Sequence, residues 1–314
     1  MYIGAIDIGG TKTIVGIVNE SGKILYKEQF KTNINDRELH FKTCSEMLFY
    51  CLSTLDLSVL QLVGIGINMP GMVDNKKGIL IKAPYAGWAG TEVRSYFQEA
   101  TGVKNVYVEN DVNSCAIGEL HFGYGKTYKN YLWMTVSTGI GGAIINEGKL
   151  LRGGWNCAGE FGHLKVEYER PFLCPCGGWG CLEAHGSGTA ITKMVKQEIA
   201  KNPEFSKLFE SVNLSTDAVG CAILAREGNE TACSIYKKAA IWIGRGISYC
   251  VNILNPDAVI IGGGVASSLD LMIDHIRQTI ETNVISTLLG FEIKTTMLGY
   301  EAALLGAASL ILEK

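Results

Sequence analysis

Proline is scarce in this sequence, six residues in 314, and no linker or low-complexity segment interrupts it. An excess of charge is also missing, with 28 Lys and Arg against 31 Asp and Glu and a formal net charge of −3. That balance gives no electrostatic reason to expect nucleic acid or an anionic membrane as partner. No window approaches the ~18 uninterrupted apolar residues of a membrane span. The opening MYIGAIDIGGTK lacks the charged n-region, apolar h-region and cleavage site of a secretory leader. These absences predict a soluble, cytoplasmic protein. Ten cysteines without a leader fit a reducing compartment. What is present, 47% apolar residues over 314 positions, suffices for two domains that each bury a core.

The densest chemistry lies in residues 160–183. Glu160 and His163 form a Glu-x-x-His, and Cys174, Cys176 and Cys181 follow with Glu183 close behind. Three thiolates and one imidazole are the complement of a closed tetrahedral zinc site, whereas calcium or magnesium would want oxygens. Gly177, Gly178 and Gly180 let the chain fold tightly between the thiols. The other seven cysteines (Cys44, Cys51, Cys115, Cys157, Cys221, Cys233, Cys250) read as buried free thiols. Closing the metal site would bring Glu183 toward Glu160. The result is an acceptor-rich cluster suited to hydroxyl groups rather than phosphates.

Along the chain, residues 2–8, 13–18 and 23–30 read as a β-meander whose first turn is Asp7-Ile8-Gly9-Gly10-Thr11-Lys12. Such a turn offers backbone N–H groups, the Thr11 hydroxyl and the Lys12 ammonium to an anion, with Asp7 nearby for a hydrated Mg²⁺. An ordinary Gly-rich hairpin is the plainer alternative. Residues 38–55 and 91–101 carry helical patterns, and 60–69 and 103–108 read as buried strands. The second strand delivers Glu109, Asn110 and Asp111 at its carboxyl end, where ligands bind in α/β sheets. Asp111 is there either a functional carboxylate or the cap of the helix predicted from Val112. The meander pattern returns about 130 residues later, with Ser137-Thr138-Gly139-Ile140-Gly141-Gly142 as its turn. Two Gly-rich turns in equivalent places imply a nucleotide held between two domains. Helices are predicted over 190–200, 216–226, 231–254, 270–282 and 301–312, with strands over 258–261 and 292–295. Gly262, Gly263 and Gly264 end the first of these strands and permit close approach of a flat ligand. The domain boundary is expected near 118–128, giving domains 1–120 and 121–299, with 300–314 returning to the first.

Together these residues resemble the ROK family of sugar kinases, which share the actin/hexokinase-like ATPase fold. The likeness runs from Asp7–Lys12 through Asn110-Asp111, 137–142, Glu160–His163 and Cys174–Glu183 to 262–264. The resemblance implies two ribonuclease-H-like α/β domains with a nucleotide and sugar cleft between them. It implies that both Gly-rich turns bind ATP phosphates, that the Gly triplet lies near the adenosine, and that Asp111 is the general base. Asn110, Glu160, His163 and Glu183, with Gly71 alongside, would hold the sugar, and His163 would also ligate zinc. Expected ligands are thus ATP, Mg²⁺, structural Zn²⁺ and a hexose, and a homo-oligomer (dimer or tetramer) is implied.

Three departures stand out. The spacing from His163 to Cys174 is one residue longer than usual in the family. Tyr85 stands where many of its glucokinases carry Asn. Met72 stands where mannosamine-type kinases offer Arg, which argues against that substrate. The family's regulators place a DNA-binding domain before the first turn, so Asp7 close to the start argues against a transcriptional repressor, and Asp111, Asp7 and both turns argue for a kinase over a non-catalytic sugar sensor. Phosphorylation of the 6-OH of glucose or a related hexose or glucoside is expected. An N-acetylated amino sugar, fructose and a β-glucoside remain alternatives. Because the phosphate turns lie in separate segments from the metal, losing zinc is expected to weaken sugar affinity far more than ATP affinity.

Overall fold

The structure is a computed structural model that describes residues 1–313. The chain opens with the meander β1 (Tyr2–Ile8), β2 (Lys12–Asn19) and β3 (Ile24–Lys31), followed by helix α1 (Arg37–Thr54). Asp36 caps α1 by accepting the Leu39 N–H at 3.0 Å, which relieves one orphan donor of the first turn. Next come β4 (Leu62–Met69), the short strands β5 (Met72–Asp74), β6 (Ile79–Lys82) and β7 (Thr91–Glu92), and helix α2 (Val93–Thr101). Strand β8 (Val106–Asn110) passes straight into α3 (Asp111–Phe122).

The meander then repeats as β9 (Tyr131–Val136), β10 (Ile140–Asn146) and β11 (Lys149–Leu150). A helical stretch follows: α4 (Leu182–Gly186), α5 (Gly188–Lys201), α6 (Pro203–Ser211), α7 (Ala218–Arg226) and the long α8 (Glu230–Leu254). The chain closes with β12 (Ala258–Gly262), α9 (Ile273–Asn283), β13 (Glu292–Thr295) and α10 (Ala302–Ser309).

Two five-stranded sheets share one plan. Their orders are β3-β2-β1-β4-β8 and β11-β10-β9-β12-β13, each an antiparallel hairpin arm extended by parallel strands. The repeat predicted from the two Gly-rich turns is therefore a repeat of topology. By compactness the chain divides into one unit of Met1–Lys129, Ala143–Ala158 and Thr296–Lys314 and a second of Asn130–Gly142 and Gly159–Thr295, so the dividing line falls inside β10.

In the first unit, one sheet face packs on α1 and α2 through Phe41, Leu48, Leu52, Trp88 and Phe97, all essentially inaccessible. The other face receives α10 through Leu304, Leu305, Ala307 and Ala308. Parallel strands buried on both faces explain why β4 reads as a continuous apolar run rather than an alternation. In the second unit β12 lies between β9 and β13, parallel to both, and all five of its residues are buried.

Several predicted elements shift. The helix expected over 91–101 begins at Val93, because Thr91 and Glu92 pair as β7 in a three-stranded sheet that had not been expected. Helix α6, with Asn202 as its cap and Pro203 opening its first turn, was not expected either. The helix expected from 270 starts at Ile273, since the Gly triplet leads into a 3₁₀ stretch, Gly264–Leu271. Among the seven cysteines read as buried, Cys157 and Cys233 are exposed.

The closest approach in the first unit is at Gly66 of β4, where an added Cβ would lie 1.7 Å from the Ala307 carbonyl oxygen. Neither a central strand nor a packed helix yields easily. Gly66→Ala is therefore expected to destabilise the protein by about 3 kcal/mol. A denaturant titration that shows a change below about 1 kcal/mol would mean α10 is not fixed against the sheet.

Candidate active site

The first Gly-rich turn joins β1 to β2. Its backbone closes by a bond from Gly9 N–H to Lys12 O at 3.0 Å. A side chain at Gly9 would meet that same oxygen at 2.8 Å, which accounts for the glycine. Gly10 and Thr11 are exposed at the tip. Behind the turn the Thr32 hydroxyl donates to Gly9 O at 2.8 Å, and it pairs with the buried Thr13 hydroxyl, which in turn contacts His40 Nε2 at 3.1 Å. This buried chain of polar groups fixes the turn from below and leaves its tip free. Lys12 leans over the Tyr300 ring at 4.4 Å and donates to Gln29.

Asp7 ends β1, and its carboxyl is held up at about 7. Burial is the main cause, the Asp111 and Glu301 carboxylates add to it, and the Lys12 ammonium opposes them. Two carboxylates drawn together without enough positive charge are the oxygen donors a hard divalent cation such as Mg²⁺ selects.

The turn from β8 to α3 places Asp111 inside the helix rather than at its cap, with Asp111 Oδ1 also accepting the Val112 N–H at 3.0 Å. The cap is Asn110: its Oδ1 accepts the Val112 and Asn113 N–H groups at 2.9 and 3.1 Å. Its Nδ2 donates to Gly71 O at 3.1 Å and to Asp111 Oδ1 at 2.9 Å. Asp111 is the first helical residue, so its charge sits at the positive end of the helix dipole. Gly71, at φ 119°, stands beside Asn110 because a Cβ there would lie 2.2 Å from Lys82 O. Tyr85 places its hydroxyl over Gly10, 3.2 Å from where a Cβ would be, with its ring edge-on to the buried Trp88. Burial first, and the Asp111 carboxylate second, push its phenol upward.

Sequence reasoning passed over Glu109. Only 1% exposed, it accepts the Asn110 N–H at 3.0 Å and the Asn113 amide at 3.2 Å, and Arg152 Nε reaches it at 2.9 Å. Its signal was an acidic residue inside a buried strand, where an ionised side chain needs a partner.

In the second unit, one ligand atom each from His163, Cys174, Cys176 and Cys181 lies within 4.8 Å of all the others. The sulfurs of Cys176 and Cys181 are 3.7 Å apart, and Cys174 Sγ is 3.8 Å from His163 Nδ1. Zn–S bonds of about 2.3 Å in a tetrahedron put sulfurs about 3.8 Å apart, so the donors fit zinc. Burial pushes the Cys174 thiol up to about 12. Ionising it there calls for a compensating cation. Lys165 Nζ donates to Cys181 Sγ at 2.9 Å, a contact absent from the sequence reading that offsets the net negative charge of three thiolates around a dication.

His163 turns Nδ1 to the thiols and Nε2 to Glu160, 3.7 Å away. Glu183 has its Oε1 3.7 Å from Cys174 Sγ, and its other oxygen is anchored on the 137–142 turn. Its Oε2 accepts the Ile140 N–H at 3.0 Å, and a Cβ at Gly139 would lie 2.4 Å from that oxygen. Gly162 likewise approaches Ile140 O, within 2.1 Å of an added Cβ. The metal segment and the 137–142 turn are thus in direct contact, which corrects the expectation that they are separate.

Thr138 and Gly264 line one cavity of about 420 Å³. Its walls include α7 and, unpredicted, Arg226, which is fixed by a two-bond pair with Asp270 at 2.9 and 2.8 Å. Tyr236 closes one side, its hydroxyl on Ala218 O at 2.8 Å. Gly262 is buried within β12, and Gly263, at φ 91°, packs against Val136 O, so of the triplet Gly264 alone faces the cavity.

Two sheets of one topology, each with a Gly-rich turn after its first strand, define an α/β protein of the actin/hexokinase-like fold. The chain belongs to the ROK family, whose sequence model matches residues 3–314. It is 33% identical to a glucokinase of Thermotoga maritima over 98% of this chain and 96% of that one. A ROK glucokinase of Streptomyces griseus, solved with glucose and AMPPNP, superposes with a TM-score of 0.82 at 30% identity, covering all of both chains. A xylose repressor of Bacillus spizizenii is 27% identical over 99% of this chain and 77% of its own length.

Two outcomes follow from the site. Metal analysis is expected to give about one zinc per chain, and Cys176→Ser to lose it. Amide exchange should then rise both in 160–183 and in 137–142. A rise confined to 160–183 would show that Glu183 does not transmit the loss. The second concerns Asp7 in magnesium-free buffer. Its raised folded-state value means that the stability tied to the protonated carboxyl is full below 3.8 and is lost as pH climbs through about 7. Asp7→Asn should therefore raise the melting temperature at pH 8 and leave it nearly unchanged at pH 3.5. Equal shifts at both pH values would contradict this.

Proposed function

We propose that the protein transfers the γ-phosphoryl group of ATP to a hydroxyl of a hexose, with Asp111 as general base. The observation that carries this reading is the Asn110 cap. Asn110 accepts the Val112 and Asn113 N–H groups, and Asp111 only shares the first of these, at 3.0 Å, so a second carboxyl oxygen at the helix start is not needed for the cap. The attacking sugar oxygen forms its bond to the γ-phosphorus as the bond to the β-phosphate bridge breaks, and Asp111 accepts the hydroxyl proton. General base action of this kind is worth roughly 10²–10⁴-fold, and the remainder comes from positioning and charge neutralisation.

In this reading the turns at Gly9–Lys12 and at Thr138-Gly139 offer N–H groups and hydroxyls to the phosphates. The cavity lined by Thr138 and Gly264 takes the nucleoside, with Tyr236 and Arg226 as its walls. Asp7 would hold a hydrated Mg²⁺, whose role when bound is to neutralise phosphate charge. Asn110, Gly71, Glu160, His163 and Glu183 are assigned to the sugar. Zinc is assigned a structural role, because three sulfurs and Nδ1 of His163 complete four ligands and leave Nε2 facing Glu160. The ATP analogue and glucose in the Streptomyces griseus relative support the ligand pair. Glucose is the first hexose to test, and Tyr85 is the residue on which the choice turns.

The xylose repressor likeness supports a second reading, a sugar-binding regulator without turnover. A coupled ADP-release assay over hexoses, amino-hexoses and β-glucosides separates the two, since a regulator binds sugar and releases no ADP. In the same assay Asp111→Asn should lower turnover by about two orders of magnitude or more while sugar affinity stays within about tenfold. Unchanged turnover would reduce Asp111 to a helix-dipole residue.

A further inference from the structure

A cavity of about 530 Å³ opens along the outer edge of β8, and none of the sugar, nucleotide or metal residues assigned above lines it. Four cations surround it: Lys76, Arg94, Lys104 and Arg152. Its two carboxylates are already engaged, Glu109 by Arg152 at 2.9 Å and Glu313 by His121 at 3.1 Å. Among the described residues Lys76 and Lys104 have no acidic partner. Arg94 is held rigidly, donating to the carbonyls of Val106, Lys76 and Asn75 at 2.9, 2.7 and 2.8 Å. Those bonds go to neutral oxygens, so its charge remains uncompensated while its orientation is fixed. Arg152 has a single N–H committed to Glu109, which leaves the rest of its fork unspent.

A fixed, uncompensated guanidinium beside two unpaired ammonium groups is an anion site prepared before the anion arrives. Guanidinium forks match the paired oxygens of phosphate. The volume is that of a small-molecule site rather than a track for a polymer, and the rest of the wall mixes apolar side chains (Val106, Val108, Leu310) with the amides of Asn75, Gln98 and Asn105, the last two already donating to Lys104 O and Val63 O.

We propose that this cavity binds a small phosphate ester, at a site separate from both Gly-rich turns. Arg152, which anchors Glu109 behind Asn110, forms part of its wall.

Inorganic pyrophosphate is the probe, titrated calorimetrically into the zinc-loaded full chain with saturating ADP to fill the nucleotide site. The expected result is one pyrophosphate per chain, bound more weakly as NaCl is raised. Lys76 and Lys104 are both exposed, so Lys76→Ala with Lys104→Ala leaves the fold intact and should weaken binding at least about tenfold. A control pair elsewhere on the surface, Lys196→Ala with Lys237→Ala, should leave it unchanged. The proposal is overturned by no binding at millimolar pyrophosphate, by equal binding in the Lys76/Lys104 variant, or by an equal loss in the control.

Discussion

Glu109 is a carboxylate with almost no access to water, and the geometry of the candidate site starts from how it is satisfied. Taking an ionised group out of water costs several kcal/mol unless partners replace its hydration. Here the replacements are the Asn110 N–H, the Asn113 amide and the Arg152 guanidinium. Each of them also fixes something else. The Asn110 bond pins the backbone where strand becomes helix, and the Asn113 bond holds the first helical turn. Asn110 is then oriented enough for its Oδ1 to cap the helix and its Nδ2 to reach both Gly71 and Asp111. Removing Glu109 would therefore leave the half-buried Arg152 without a counter-charge and Asn110 without its anchor.

The duplicated sheet plan places two Gly-rich turns in equivalent positions, but the chain supports them by different means. The first is fixed from within its own sheet, by Thr32 and Thr13 with His40 behind them. Burial holds the His40 imidazole down near 4, so this support stays neutral across the physiological range. The second turn is held from outside, by Glu183 on the Ile140 N–H and by the close approach of Gly162. Glu183 stands two residues after Cys181, so the stability of the second turn is tied to the thiol cluster. One topology thus carries a self-supported turn and one supported from the segment that holds the Cys/His cluster.

How much of this was legible beforehand depended on separation along the chain. The His and three Cys donors lie within 19 residues, and their spacing alone announced a tetrahedral site. The Gly-rich turns were legible because their glycines mark places where a Cβ has no room. The partner of Glu109 is 43 residues away, and that of Arg226 is 44. Nothing in local pattern selects one arginine over another at such distances. The role of the Asn110–Asp111 pair as cap stayed open for a different reason: both residues are good caps, and only the backbone decides which of them stands outside the helix. The small β5–β7 sheet escaped because strands of two to four residues carry too few positions to show alternation.

The electrostatics of Asp7 and Asp111 form the last step. Asp7 lies where the fold supplies little compensation, with Lys12 nearby but engaged by Gln29 and the Tyr300 ring, whereas Asp111 accepts the Asn110 amide and the Val112 N–H at the helix start. The Asp7 carboxyl, at about 7, keeps its proton up to neutral pH, which weakens it as a metal ligand. A divalent cation held there would favour its ionised form. Tyr85, whose phenol is pushed up by burial first and by the Asp111 carboxylate second, stays a neutral hydrogen-bond donor at physiological pH. A phenol in that place can offer a proton to a sugar oxygen or accept one from its hydroxyl, as the Asn common in the family's glucokinases can. It has one heavy atom for the task where an amide has two, so the two side chains differ in the number of hydrogen bonds they can offer a hydroxyl.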